Sequence, residues 1–350
     1  MPPLRSNDLF PIAVIGFIML LAFIVFRDVA DMVLLGASLA VVLMPLHRRI
    51  APRTGPFFSA SLITLLVFAA FAGTALVTIQ VISANTGTLA GMFAAVGTWL
   101  NNPATSPVAY GVPFGKTTLS NLLATGTAFF LNYEQTLMDN LTLYLFKTFV
   151  FFFSLGAFIF HGEWLKAHFM ARMPPAVGDW VERLSTVTAD TLYAIYVVQI
   201  AIAVLTFFIA LPVFYLLGYG NVLFYSFLTA FCELIPVLGA SAMFLLVGAY
   251  ALALGDTRGI FIIFFLGYLV VACLPEVTVR PVLVGRRVKI NAVVMFIGII
   301  GGILTMGLAG FVLGPVMIVL LITSYRFYAE GRKERNRAGT AADTNPPGRQ

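Results

Sequence analysis

Charge is scarce in this chain. Asp, Glu, Lys and Arg make up only 10% of the 350 residues, where a soluble domain carries about 25%. That excludes an ordinary solvated surface. Cysteine is scarcer still: Cys232 and Cys273 both sit inside apolar runs, which excludes a disulfide framework and a Cys-based zinc site. Three histidines, His47, His161 and His168, lie without metal-ligand spacing, and no G-x-x-x-x-G-K-[ST] phosphate loop is present. ATP-driven pumping within the chain is therefore not expected. No nucleophile–base constellation stands out either, so we expect no enzyme, no cofactor and no metal.

What is present is apolar. Hydrophobic residues make up 60% of the sequence, 33 of them Phe, and the mean hydropathy is +0.97. This is an all-α polytopic membrane protein, and the lipid bilayer is its first partner. The net charge of +6 lies in short loops and the tail, where the positive-inside rule puts it. It marks topology, and nucleic acid is not expected.

Residues 9–26 form the first span, read as a retained helix because no A-x-A-like cleavage site follows. Residues 29–46 form the second span, closed by Pro45. The loop 47–56 holds Arg48, Arg49 and Arg53 without an acid, so it is cytoplasmic. Residues 57–82 cross again. Residues 83–140 turn rich in Gly, Thr and Asn and read as an extracytoplasmic interfacial segment. Residues 1–160 thus make an N-terminal region that ends with a span over 141–160. A mixed-charge cytoplasmic connector covers 161–190, and a fifth span covers 191–217. Asp256 and Arg258 read only as an outer turn.

Two apolar runs, 222–254 and 292–325, are too long for one crossing and are interrupted by Gly and Pro. Charge parity decides their path. If 222–254 crossed once, the basic loop 276–289 would face outward, against the charge rule. Each run therefore enters and returns, one hairpin opening outward and the other inward, with about six full spans alongside. With about 20 residues needed per crossing, re-entrant arms fit better than complete ones. The tail 326–350 is basic, cytoplasmic and expected to be disordered. Both termini lie inside.

Broken helices at membrane depth are tolerated only inside protein or beside a water-filled cavity, and paired interrupted segments point to a transporter's binding region. Residues 191–325 are therefore read as a transport region. Glu233 is the one charge between Asp190 and Asp256. It either binds a proton, cation or polar substrate, or caps the amides of 238–240 beyond Pro236. Pro236 ends a helix and Gly239 allows the bend. Gly301, Gly302, Gly307, Gly310, Gly314 and Pro315 serve either close helix packing or a hinge and solute path. Arg280, Arg286 and Arg287 bind an anion or lipid headgroup, or only set topology. Glu276 is spaced to pair with Arg280.

These residues resemble the autoinducer-2 exporter-like (AI-2E) transporter family. The block Glu233-Leu-Ile-Pro-Val-Leu-Gly239 is similar to the family's acidic-hydrophobic-Ile-Pro-x-x-Gly element. Pro275-Glu276, Arg280-Pro281-x-x-x-Gly285-Arg286 and the following Gly301, Gly302, Gly307, Gly310 and Pro315 resemble its second block. Ile290-Asn291 stands where members often carry His-Pro. The resemblance implies a plasma-membrane exporter of a small solute or signalling molecule and a homo-oligomer, with a pentamer the family picture. Transport is expected to be secondary, linked to protons or sodium through Glu233, or facilitated, and Na+/H+ antiport has been attached to the family too. A passive channel and a non-transporting scaffold are the other readings of the same breaks.

Overall fold

The computed structural model describes residues 27–101, 138–234, 239–279 and 292–343, with isolated positions at 14, 16–18, 128, 135 and 282. Among the described residues there are helices and turns and no strand. The order is α1 (Arg27–Thr54), α2 (Pro56–Asn101), α3 (Leu141–Met170), α4 (Pro175–Tyr193), α5 (Gln199–Leu217), α6 (Val222–Glu233), α7 (Gly239–Leu254), α8 (Thr257–Ile262) and α9 (Ala292–Asp343). A π-helical turn at Ala194–Val198 joins α4 to α5, and α8 continues in π-helical form over Ile263–Cys273 and Pro275–Val279. Among the described residues six helices are long and apolar enough to cross a membrane: Val29–Thr54, Pro56–Leu100, Leu141–Met170, Val177–Leu217, Thr257–Val279 and Ala309–Phe327. The expected first span lies mostly outside the described residues.

The described chain folds as two compact units. One draws on Met1–Leu66, Leu143–Leu192 and Ile290–Gln350, the other on Val67–Thr142 and Tyr193–Lys289. The contiguous region 191–325 expected from sequence therefore divides: its first hairpin lies in the second unit and its second hairpin in the first.

In the first unit, α1 does not end at Pro45. It runs through Pro45 and Pro52 to Thr54, and the expected cytoplasmic loop is helix broken only at Gly55. His47 is buried there, its Nδ1 3.0 Å from Ser59 Oγ across the break. α1 and α3 approach at Gly36, where an added Cβ would lie 2.8 Å from the Phe151 carbonyl oxygen. The Ser154 hydroxyl donates to the Val33 carbonyl at 3.0 Å. Lys147 Nζ and Asp31 Oδ2 form an ion pair at 3.3 Å between the same helices.

α2 corrects a second boundary. The break expected at residue 83 is absent, and one helix of 46 residues continues to Asn101. At 1.5 Å per residue it is about 69 Å long, more than twice the ~30 Å hydrocarbon core. Its polar half stays helical because short side chains turn back onto the helix: Asn85 to Val81 at 2.8 Å, Thr86 to Ile82 at 3.0 Å and Thr98 to Ala95 at 2.8 Å. The stretch from residue 83, read as the start of a separate interfacial segment, continues the preceding helix as far as Asn101. The tail is likewise helical as far as Asp343.

The second unit is built around an aromatic stack. Phe214 of α5 lies against Tyr225 of α6 at 5.4 Å and Phe244 of α7 at 5.5 Å, ring centre to ring centre. Phe244 in turn fills the space over Gly267, where an added Cβ would lie 2.6 Å from its ring. The short hairpin α6–α7 is thus clamped between α5 and the π-helical span.

Candidate functional site: a buried carboxylate at a broken helix

A helix that stops inside a protein leaves backbone donors at its new start and acceptors at its end. α6 stops at Glu233 and α7 starts at Gly239. Side chains serve both ends. Glu233, 3% exposed, accepts a hydrogen bond at Oε2 from the Ala240 N–H at 2.6 Å. The buried Gln199 side chain donates through Nε2 to the Glu233 backbone carbonyl. Gly239 has φ +52, and a Cβ there would lie 3.4 Å from Glu233 Oε2. That left-handed turn brings the start of α7 onto the carboxylate.

The seam between α5 and α6 carries more polarity than a lipid-embedded contact requires. The helices are consecutive and antiparallel, and Gln199 meets Glu233. Two helical turns from Gln199 along α5 and from Glu233 along α6, Thr206 and Ser226 lie on the same faces of their own helices. Both hydroxyls are buried and have no hydrogen-bond partner among the described residues. Thr229 lies between Ser226 and Glu233 on α6, its hydroxyl donating to the Tyr225 carbonyl at 2.7 Å. The faces so defined carry Gln199 and Thr206 on α5 and Ser226, Thr229 and Glu233 on α6.

The outer turns are tied together. Tyr219 donates its hydroxyl to Asp256 Oδ2 at 2.8 Å, and Arg258 donates to the Leu216 carbonyl at 3.0 Å. Asp256 also accepts the Gly259 N–H at 2.9 Å, capping α8. Asp256 and Arg258 do more than form a turn: they hold the mouth of the first hairpin to the end of α5.

The second hairpin is a separate feature of the first unit. α9 bends at Gly307, whose φ of 59 and ψ of −134 are non-helical. Its arms pack backbone to backbone. A Cβ on Gly302 would lie 2.0 Å from the Gly310 carbonyl oxygen, and one on Gly310 1.8 Å from that of Gly302. One on Gly314 would lie 2.0 Å from the Gly298 carbonyl oxygen, and one on Gly298 3.1 Å from Pro315. Gly301 is exposed and meets nothing within 4 Å. Five of the six residues singled out here thus form a bend and a packing seam, and Gly301 stands apart.

Glu276 lies at the end of the π-helical span, half-buried. Pro236, Arg280, Pro281, Gly285, Arg286 and Arg287 lie outside the described residues, as does the expected Glu276–Arg280 pair. Gln199, Thr206 and Ser226 were missed by the sequence reading, which looked for charge. The signal was there: three polar residues on otherwise apolar helical faces.

Comparison with known proteins settles the family. The AI-2E family transporter model matches residues 12–330. The chain belongs to the AI-2E transporter family. It is 26% identical over 302 residues to a protein of Methanothermobacter thermautotrophicus provisionally named a transport protein, covering 84% of this chain and 86% of that one. A Treponema pallidum protein with the same provisional name is 27% identical over 198 residues, covering 55% of this chain and 47% of that one. A Pyrococcus horikoshii relative, again so named, is 40% identical over 60 residues, 17% of each chain. The protein is a multi-pass membrane transporter.

Proposed function

We propose that this AI-2E family member is a secondary transporter that exports a small polar solute or signalling molecule across the plasma membrane. In this reading Glu233 is the group that links transport to a proton or sodium gradient. One observation carries it: a carboxylate is buried at the break of an apolar hairpin, hydrogen-bonded to the start of the following helix. A charge held there is costly and is characteristic of ion and substrate pathways. Ionised, Glu233 makes a charge-assisted bond to Ala240; protonated or ion-bound, it makes a weaker one. Occupancy of the carboxylate is thereby linked to the geometry of the break. Thr206 and Ser226 supply polar capacity for water, a cation or a solute hydroxyl along the seam.

The orientation with both termini cytoplasmic rests on the charge of the loops and tail, and homo-oligomerisation on the family resemblance. Glu276, Arg280, Pro281, Gly285 and Arg286 are proposed to form the inner end of the pathway. Within the second hairpin, Gly301 and Gly307 are proposed to serve as a hinge or solute path. Na+/H+ antiport without an organic solute is the second reading, favoured by the same carboxylate and hydroxyls. The test is flux in proteoliposomes, using radiolabelled sugars, polyols and amino acids and a trapped pH dye, under imposed proton or sodium gradients. Saturable, gradient-driven solute flux supports secondary transport. Sodium-driven proton movement with no solute flux supports antiport, non-saturable flux a channel, and no flux at all a scaffold.

A further inference from the structure

We propose that a cleft in the first unit, between α1, α3 and α4, is a binding site for a phosphatidylethanolamine-type lipid. The cleft has a volume of about 590 Å³, within the range of built small-molecule sites. Its lining is divided in chemistry. Arg48 and Lys166 supply two cations, Glu163 and Asp190 two carboxylates, and Ser185 and Thr186 two hydroxyls. Met44, Phe158 and Phe169 line the same cleft with apolar surface.

Arg48 Nε donates to Glu163 Oε1 at 2.6 Å. That pair uses one of the five guanidinium N–H donors and one carboxylate oxygen, so both groups retain capacity for a ligand. The formal charge of the four ionic groups is zero, which matches a zwitterion. A phosphate diester fits Arg48 and Lys166, and a primary ammonium with three N–H donors fits Glu163 and Asp190. An anionic headgroup would bring its charge against two carboxylates with no cation to offer them. A choline headgroup has no N–H to donate. The apolar side decides between a lipid and a free phosphoethanolamine, because only the lipid carries chains to cover Met44, Phe158 and Phe169.

The cleft belongs to the first unit and Glu233 to the second, and the proposal does not depend on which solute is carried. The test is native mass spectrometry of the detergent-purified protein, titrated with phosphatidylethanolamine, phosphatidylcholine and phosphatidylglycerol of identical chains. Phosphatidylethanolamine is expected to bind about tenfold more tightly than either of the others. Asp190→Asn should reduce its advantage over phosphatidylcholine, and Lys166→Met should weaken all phosphate-bearing lipids together. Thr186 is exposed at the rim, so Thr186→Trp should block the cleft while leaving the fold, followed by thermal unfolding, unchanged. Soluble glycerophosphoethanolamine should fail to displace the lipid. Equal binding of the three lipids, preference for phosphatidylglycerol, unchanged binding in Thr186→Trp, or displacement by glycerophosphoethanolamine would each overturn the assignment.

Discussion

Glu233 Oε2 accepts the backbone N–H of Ala240 at 2.6 Å, so the last residue of α6 caps the first turn of α7. Capping and coupling were alternative readings of the sequence. Chemically they are compatible, since a carboxylate that caps a helix start gives up part of that bond whenever it takes a proton or a cation. The two roles separate by substitution.

Glu233→Gln keeps a side-chain oxygen for the Ala240 amide, whereas Glu233→Ala leaves that buried donor without it. An orphaned buried donor costs about 1–3 kcal/mol. Thermal unfolding in detergent should therefore show Glu233→Ala destabilised by roughly that amount and Glu233→Gln by less than about 1 kcal/mol. Equal losses would mean that the cap contributes nothing.

In the second hairpin, Gly302→Ala and Gly310→Ala each drive a methyl into backbone at 2.0 Å or less. Overpacking of this kind costs about 1–3 kcal/mol or more. Gly301→Ala meets open space and should change stability by no more than about 1 kcal/mol, with helix propensity favouring Ala. The same unfolding assay ranks the three. A ranking with Gly301→Ala as the worst would contradict the backbone-to-backbone seam.

Asp31 and Lys147 pair at 3.3 Å with both side chains less than one-third exposed. Removing one partner leaves a poorly hydrated charge. Asp31→Asn and Lys147→Met should each destabilise more than the double variant, with a coupling of order 1 kcal/mol. A double variant that loses the sum of the two singles would show the pair to be energetically silent.

The outer clamp has a pH window. Asp256 is held below its ordinary value of 3.8, first by the Gly259 N–H and then by the Tyr219 hydroxyl. Tyr219 is pushed above its ordinary value of 10.0, first by burial and then by its bond to Asp256. A lowered carboxyl contributes stability above its unfolded value that is lost as pH falls through the folded one. A raised phenol contributes stability below its unfolded value that is lost as pH rises through the folded one. The clamp should thus be intact from about pH 4 to about pH 10. The protection of the Gly259 amide against hydrogen exchange, taken relative to its intrinsic rate at each pH, should fall on the acid side of about pH 4, and Asp256→Asn should abolish that step. A step in the neutral range would contradict it.

How much of this was legible beforehand depends on what each residue does. The hairpin at 222–254 and its break at Glu233 to Gly239 were visible because Pro, Gly and a lone carboxylate interrupt an apolar run. The bend at Gly307 could be narrowed only to a glycine-rich stretch, since packing glycines and bending glycines look alike until a φ of 59 marks one of them. Helix ends were read too early at Pro45 and at residue 83. Neighbouring turns tolerate the proline, and Asn85 and Thr86 bond back to their own helix instead of ending it. The Asp31–Lys147 pair and the meeting of Gln199 with Glu233 join residues far apart in sequence, and no local pattern announces them.

Coupling through Glu233 is tested most directly by flux in proteoliposomes reconstituted with wild type or Glu233→Gln, under imposed proton and sodium gradients. Gradient-driven flux in the wild type should fall at least about tenfold in Glu233→Gln, or lose its dependence on pH and sodium, while the variant stays folded. A Glu233→Gln protein that transports at the wild-type rate with unchanged pH and sodium dependence would contradict a coupling role and leave Glu233 as a helix cap alone.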